Sequence, residues 1–263
     1  MEMKRVLSTI SVAVIMLVTR TASAEVIETN SYKDVLPYID SKTLFVTDLD
    51  NTLIQPAQTL GSDQWGAAVQ ASLRLNGLAD DEATDLGVGL FALVQMKTKV
   101  IPVEHETPAI LQRLAHAGVQ ILGLTARPLF LVDRTIEQLK SIDVELPGVA
   151  RKTVDVTFAK STAAYRNGVL FVGAHNSKGR MLKEFIANNP LPGISRIVFI
   201  DDKSHHAQDV DQAFNGTAYT VKSFRYGATD AAVKAYDPAT AQKEWTIFNC
   251  TGELVSDERV LPH

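Results

Sequence analysis

The sequence predicts an α/β protein in which a parallel sheet lies between two layers of helices. Two short apolar runs, residues 44–46 and 197–200, have the length and composition of buried strands, and each leads into closely spaced aspartates. Strand-like segments alternate with helical periodicity between these runs, as is typical of a parallel sheet. The chain has 263 residues, 46% of them hydrophobic, which is enough for one large domain with an insertion.

The first half of the chain is expected to contain one buried strand followed by a helical insertion. Residues 25–43 are expected to form an exposed leading segment. Residues 55–106 carry no strong strand signal but show helical spacing at 65–75 and 86–94. The residues that can share one face of the second helix are Leu86, Leu90, Leu93 and Val94.

The second half of the chain is predicted to alternate helices and strands. Thr107 and Pro108 favour a helix start, and Gly118 favours its end. The later predicted elements are a strand at 119–124, a helix over 129–139, strand-like segments at 154–158 and 168–172 around a turn at 166–168, a helix opening at 176–179, the strand at 197–200, a helix ended by Gly216, a strand at 217–221 and a helix at 238–248.

The first 24 residues have the pattern of a secretory signal peptide. Lys4 and Arg5 precede an apolar run at 6–18 that is too short to span a bilayer comfortably. The small residues Ala22 and Ala24 flank Ser23 as at a cleavage site. The sequence therefore predicts an exported protein, periplasmic or secreted, without stable membrane insertion after cleavage. An uncleaved membrane anchor is the alternative.

Charge and cysteine content exclude two further classes. The net charge of −4 argues against a nucleic-acid binder that works through a basic surface. Cys250 is the only cysteine, so no intrachain disulfide and no zinc site of Cys/His spacing can form. An exported chain without disulfides is held by its core alone, which its length allows.

Polar side chains follow three of the predicted strands. Asp48 and Asp50 follow the first, Thr125 the second, and Asp201 and Asp202 the run at 197–200. Carboxyl ends of parallel strands meet at one edge of a sheet, so these groups are expected to converge there. Lys178, at a predicted helix start, can reach the same edge. Carboxylates, a hydroxyl and an ammonium group beside free backbone N–H groups suit a phosphate with a hard cation.

At these residues the sequence resembles the haloacid dehalogenase superfamily. Residues 48–53, DLDNTL, are similar to its first motif, and residues 124–127, LTAR, resemble the second. Lys178 resembles the third motif, and residues 200–202, IDD, the fourth. The resemblance covers roughly residues 43–222 and implies a Rossmann-like three-layer α/β/α fold.

The resemblance implies a phosphomonoester hydrolase that acts through an aspartyl phosphate. It implies Asp48 as the nucleophile and Asp50 as the acid that protonates the leaving oxygen and then takes a proton from water. Mg²⁺ is the implied cofactor, held by Asp48, the backbone carbonyl of Asp50 and Asp201, with Asp202 orienting this shell or Lys178. The implied phosphate-binding residues are Thr125, Lys178 and Arg127.

Other features leave alternatives open. Arg127 can bind an anionic group of the substrate or pair with a carboxylate. His175, His205 and His206 lie near the third and fourth motifs, but histidines suit zinc and the acids already supply a Mg²⁺ site, so ordinary exposed histidines are favoured.

The predicted organisation follows from these assignments. It is a signal peptide at 1–24, a core formed by 25–54 and 107–263, and a small helical cap at 55–106. The expected partner is a small phosphorylated substrate or a phosphopeptide, with no nucleic acid. An Asp at position 50 favours a phosphatase, while an exported binding or host-interaction protein with little turnover and a phosphotransferase remain alternatives.

Overall fold

The computed structural model describes residues 26–149, 155–157 and 162–260. The predicted signal peptide lies outside the described residues. The strands and α-helices in chain order are β1 (Ile27–Thr29), β2 (Thr43–Thr47), β3 (Ile54–Pro56), α1 (Asp63–Leu75), α2 (Asp80–Gln95), β4 (Val100–Pro102), α3 (Thr107–His116), β5 (Gln120–Thr125), α4 (Val132–Lys140), β6 (Asp155–Thr157), β7 (Thr162–Arg166), β8 (Val169–Phe171), α5 (Lys178–Asn188), β9 (Arg196–Asp201), α6 (Ser204–Ala213), β10 (Thr220–Tyr226), α7 (Asp230–Lys234) and α8 (Pro238–Thr251).

The main sheet has the strand order β1-β10-β9-β2-β5-β8-β7-β6. The neighbours from β1 to β8 in this order pair in parallel, and β7 and β6 continue the sheet as an antiparallel edge. β2 lies at the centre between β9 and β5, and Thr47 pairs with Ile200. The residues that follow, Asp48 and Asp201, therefore emerge side by side at the carboxyl edge of the sheet, where open α/β sheets bind their ligands.

Two hydrophobic clusters on opposite faces of the sheet make the molecule three-layered. Alternation along β2 sends Phe45 into one cluster and Leu44 and Val46 into the other. Residues of α3 and α4, including Ile110 and Ile136, pack into the first cluster. Residues of α5 and α6 pack into the second. The predicted α/β architecture is confirmed.

The insertion after the acidic turn contains α1 and α2, as predicted, but also a two-stranded antiparallel ribbon, β3 with β4. Each of these strands has only three residues, too few to produce a strong strand signal in the sequence. The four apolar residues expected to share one face of α2 differ in burial. Val94 is buried, but Leu86 and Leu93 are exposed, and Ala83 and Gly87 face inward instead.

The C-terminal helix packs against this insertion. Leu60, Trp65 and Val94 from the insertion form a third cluster with Ala241 and Phe248 of α8. The indole rings of Trp65 and Trp245 lie with centroids 5.9 Å apart. The tail is thus part of the folded body and packs on the insertion.

Candidate active site

A tight turn at the end of β2 presents Asp48. Its backbone N–H donates to the carbonyl of Ile200 at 2.9 Å, which continues the sheet by one residue. The amides of Leu53 and Ile54 both donate to the carbonyl of Leu49, so the chain reverses within a few residues. Asn51 adopts a left-handed backbone with φ of 59°, a conformation that asparagine tolerates better than most residues.

Lys178 bridges the two central aspartates. It is the first residue of α5, where the Ser177 side chain caps the helix by accepting from the Arg180 amide. Its Nζ donates to Asp48 Oδ1 at 2.5 Å and to Asp201 Oδ2 at 2.7 Å. Only 2% of the lysine is exposed, so this cation and its two partners are held away from water.

Asp202 completes a group of three carboxylates. One oxygen each of Asp48, Asp201 and Asp202 lies within 4.8 Å of the others. Thr52 fixes the arrangement, because its hydroxyl donates to Asp48 Oδ2 at 3.3 Å and accepts from the Asp202 amide at 2.9 Å. The motif resemblance implies that Asp202 orients the metal shell or Lys178, and its carboxylate lies within 4.8 Å of those of Asp48 and Asp201.

The charges of this group are unbalanced. Burial, with repulsion from Asp201, raises the pKa of Asp48 to about 6 in spite of Lys178. Burial, with repulsion from Asp48, raises the pKa of Asp202 to about 8. Burial also opposes ionisation of Asp201, but the charge of Lys178 and the hydrogen bond from His206 outweigh it and lower its pKa to about 2. Even with Lys178 between Asp48 and Asp201, and with the ammonium group of Lys203 near Asp202, the three carboxylates outnumber the cations, an arrangement that suits a bound cation.

The Asp50 side chain pairs with Arg127 and is not part of the group of three carboxylates. Arg127 Nε donates to Asp50 Oδ2 at 2.8 Å, and Nη2 donates to Oδ1 at 2.7 Å. Burial opposes ionisation of Asp50, but the guanidinium outweighs it and lowers the pKa of that carboxyl. Of the two roles open for Arg127, the structure shows the ion pair with a carboxylate.

Thr125 and Lys178 face the same cavity as Asp48 and Asp50. The cavity has a volume of about 420 Å³ and lies between the sheet edge and the insertion. Its floor comes from the ends of β2, β5 and α5. Its roof comes from α1 and α2 and consists of Gly66, Ala67, Gln70, Thr84, Val88 and Phe91.

Residues 28–260 match the sequence profile of the family described as "Protein of unknown function (DUF2608)". The chain belongs to the DUF2608 family. The match runs from β1 to beyond α8, so this family includes the insertion and the tail together with the sheet.

Relatives of this DUF2608 chain occur in species of Chlamydia and Rickettsia. A Chlamydia pneumoniae protein named "Putative outer membrane protein" is 25% identical over 226 residues, which cover 86% of this chain and 83% of the relative. A Chlamydia trachomatis protein of the same name is 22% identical over 199 residues, covering 73% and 74%. An uncharacterized protein of Rickettsia prowazekii is 24% identical over 247 residues, covering 88% and 86%.

Among solved structures, a haloacid dehalogenase-like hydrolase of Streptococcus pneumoniae is similar with a TM-score of 0.42 and 12% identity. The alignment covers 76% of this chain and 93% of that one. Along the described part of the DUF2608 chain, no helix combines the length and the apolarity needed to cross a bilayer.

Among the described residues, the cluster of possible metal ligands consists of Asp48, Asp201 and Asp202 and includes no histidine. His206 lies 3.2 Å from an oxygen of Asp201. His205 lines the cavity beside it, and their rings lie 4.2 Å apart. His175 instead contacts Asp85 of α2 at 2.8 Å, across the cleft between core and insertion.

Sequence reasoning missed several polar residues of the site. Lys203 follows the paired acids directly, and its Nζ meets Asp63 of α1 at 2.9 Å while lining the cavity. Its position after the fourth motif is a signal that could have revealed it. Thr52 lies within the first motif, which could have revealed it, whereas Gln95 and Gln138 gave no such signal because their roles depend on contacts between distant segments.

Proposed function

We propose that this protein is a Mg²⁺-dependent phosphomonoester hydrolase that acts through an aspartyl phosphate on Asp48. The observation that carries the proposal is the pairing of Asp48 and Asp201 through Lys178 at the floor of a covered cavity that Asp50 and Thr125 also line. The motif resemblance to the haloacid dehalogenase superfamily supports the same function.

The three carboxylates fit a magnesium ion by their chemistry. All are oxygen donors, which Mg²⁺ prefers over nitrogen or sulfur. The raised pKa values of Asp48 and Asp202 mark negative charge that Lys178 alone does not neutralise. Asp48, Asp201 and Asp202 would hold the ion, and the Asp50 carbonyl remains a predicted ligand. When bound, Mg²⁺ would lower the repulsion between an anionic nucleophile and an anionic phosphate.

The side chains have distinct tasks in this reaction. Asp48 would attack phosphorus, forming a carboxylate O–P bond as the bond to the leaving oxygen breaks. Lys178 and Thr125, both buried and facing the cavity, would bind phosphoryl oxygens. Asp50 would supply a proton to the leaving oxygen and then accept one from the water that hydrolyses the aspartyl phosphate. The insertion would act as a cap that limits water and selects the leaving group.

Phosphate release from p-nitrophenyl phosphate tests the proposal. The chain without residues 1–24 should release phosphate with Mg²⁺, and added chelator should abolish the activity. Asp48→Asn should abolish it as well while leaving the fold intact by circular dichroism. Equal inactivity of wild type and Asp48→Asn across phosphorylated metabolites and phosphopeptides would contradict the enzyme and favour a binding protein of the same fold.

We also propose that the protein works outside the cytoplasm on a small phosphorylated substrate or a phosphopeptide. The signal-like first 24 residues support export, as do the names of the chlamydial relatives. Intact-mass measurement on protein recovered from a bacterial envelope fraction tests it. The expected mature chain begins at Glu25, and retention of the leader would instead indicate an anchor.

A further inference from the structure

We propose that Arg127 is a positioning residue for Asp50 and not a phosphate ligand. The inference rests on the proposed function, because it assigns a task within that reaction. Arg127 borders the cavity next to Thr125, a position from which an arginine could bind the phosphate of a substrate. Its hydrogen bonds instead indicate that it orients the carboxylate of Asp50.

Every N–H donor of the guanidinium is already engaged. An arginine side chain offers five such donors in a planar fork. Nε and Nη2 hold the two oxygens of Asp50, and the second Nη2 donor faces Gln95 Oε1 at 3.4 Å. Nη1 donates to Thr135 Oγ1 at 3.0 Å and to Gln138 Oε1 at 2.6 Å. A phosphate could gain a bond from Arg127 only by breaking one of these.

Buried partners keep the fork in place. Gln138 of α4 donates to Gln95 Oε1 at 2.9 Å and to the Thr98 carbonyl at 3.0 Å. Gln95 donates in turn to the Gly61 carbonyl at 2.7 Å. Gly61 and Thr98 lie where the helices of the insertion connect to the ribbon of β3 and β4, and both glutamines are essentially unexposed. The guanidinium is therefore fixed from behind, and its fork sets the plane of the Asp50 carboxylate.

The step that needs this orientation is hydrolysis of the aspartyl phosphate. The water oxygen forms a bond to phosphorus, the bond from phosphorus to the Asp48 oxygen breaks, and Asp48 regains its carboxylate. The proton of the water passes to Asp50, and phosphate leaves. Arg127 holds both oxygens of the Asp50 carboxylate and so fixes the direction from which this carboxylate can accept the proton of the water.

Rapid mixing with 2,4-dinitrophenyl phosphate separates hydrolysis of the aspartyl phosphate from its formation. Dinitrophenolate is so stable a leaving group that its release needs little protonation by Asp50. Arg127→Met should release about one equivalent of dinitrophenolate per site quickly. Turnover should then be about 10- to 100-fold slower than in wild type, since a positioned base contributes about 10²- to 10⁴-fold. In an Asp50→Asn background, the same substitution should change turnover less than about 2-fold, because it acts through Asp50.

The opposite pattern would overturn the inference. If Arg127 binds the phosphate, Arg127→Met should slow the first step, so that no burst is seen, and should weaken inhibition by inorganic phosphate. It should also reduce turnover by the same factor in the Asp50→Asn background as in wild type. If Arg127→Met does not fold, Arg127→Lys can replace it, because this variant keeps the positive charge. A lysine can still bind a phosphate, but it cannot hold both oxygens of Asp50 as the guanidinium does. The inference therefore predicts that Arg127→Lys also shows the burst of dinitrophenolate followed by slow turnover.

Two comparisons complete the experiment. Arg134→Met removes a neighbouring arginine that donates to the carbonyls of Gln95 and Thr98 without touching Asp50, and it should keep the wild-type time course. A wild-type chain that hydrolyses no phosphomonoester refutes the proposed function itself. If the wild-type chain hydrolyses phosphomonoesters but the Arg127 variants show no burst and weaker inhibition by phosphate, only the assignment of Arg127 is refuted.

Discussion

Lys178 is the residue that makes the paired aspartates compatible with burial. It is fully enclosed, and both of its carboxylate partners are nearly so. Two carboxylates in such a place repel each other and would otherwise take up a proton. Burial disfavours the ammonium form, yet Asp201 and Asp48 outweigh it and raise the pKa of Lys178, so the lysine stays charged. The charge that orients Asp48, the proposed nucleophile, therefore also holds the end of β9 against the end of β2.

Replacing Lys178 by methionine should destabilise the protein strongly. Removing one partner of a buried ion pair typically costs about 3–5 kcal/mol, because the remaining charge is left unpaired. We expect the free energy of unfolding in urea, measured with chelator present, to fall by that order. Lys183→Met, on the exposed side of the same helix, should change it by less than about 0.5 kcal/mol. Equal values for the two variants would mean that the bridge does not hold the site together.

At the scale of elements, α2 supplies the apolar part of the cavity wall. Phe91 and Val88 line the cavity, while Leu86 on the same helix is 47% exposed. Phe91 also packs against Gly66 of α1, where an added Cβ would lie only 3.2 Å from its ring. The two helices of the insertion therefore approach closely around this ring, which fixes its position above the site.

Phe91→Ala should weaken the binding of aryl phosphates. A half-buried phenyl ring contributes about 1 kcal/mol of apolar contact, so KM should rise about 5- to 10-fold with little change in kcat. Inhibition by inorganic phosphate, which does not reach the roof, should stay unchanged. Leu86→Ala is the matched control and should leave both constants as they are. A fall in kcat without a change in KM would place Phe91 outside the leaving-group site.

Glu244 of α8 attaches the tail to the insertion. Its Oε2 accepts from the Leu60 amide at 2.6 Å, and within the described residues no donor reaches its buried Oε1. Burial, with a hydrogen bond from the protonated acid to Asp257, raises the pKa of Glu244 to about 8. Asp257 in turn accepts from the amide and hydroxyl of Thr59 at 2.7 Å. Two acids of the tail thus hold the start of the insertion.

This arrangement predicts a pH-dependent stability. The folded chain keeps a proton on Glu244 that the unfolded chain loses near pH 4.5, so stability falls as pH rises from about 4.5 to about 8. Glu244→Gln should remove on the order of 1–2 kcal/mol of this decline, measured by urea unfolding at about pH 5.5 and pH 8.5. Glu253→Gln, in the exposed segment after α8, should keep the wild-type slope. An unchanged slope in Glu244→Gln would show that the acid is ionised in the fold.

The elements that sequence patterns predicted well are those with a strong local signal. β2 and β9 are continuous apolar runs that end in acids, and α1 and α5 begin and end near their predicted positions. The three-residue strands β1, β3 and β4 carry too little periodicity to be seen. β10 begins at Thr220, three residues later than expected, because its position is set by pairing with β9.

Side-chain partners were predictable only where a motif fixed them. Asp48, Thr125, Lys178 and Asp201 come together as expected, since strand order alone carries them to one edge. The donors of Arg127 could not be assigned, because three of its partners come from segments 8 to 77 residues away. Nothing in the sequence of α8 indicated that it packs on the insertion, since that contact joins residues nearly 200 positions apart.

At the scale of the whole molecule, the carboxylate group couples cation binding to folding. Asp48, Asp201 and Asp202 belong to separate parts of the chain that meet only in the folded state. The raised pKa values of Asp48 and Asp202 mean that, without a cation, folding becomes less favourable as these groups ionise with rising pH. A divalent ion that binds the folded chain but not the unfolded chain would offset the free energy lost when these carboxylates ionise.

Mg²⁺ should therefore stabilise the protein, and more so at higher pH. At a concentration one hundred times its Kd, the ion adds about 2.7 kcal/mol to the free energy of unfolding. Near pH 6, a proton on Asp202 competes with the ion, whereas above its pKa of about 8 the carboxylate is free to bind. The rise in Tm with Mg²⁺ should thus be larger at about pH 8.5 than at about pH 6. Asp201→Asn should lose most of the rise at both values, while a rise of equal size in that variant would place the bound ion elsewhere on the molecule.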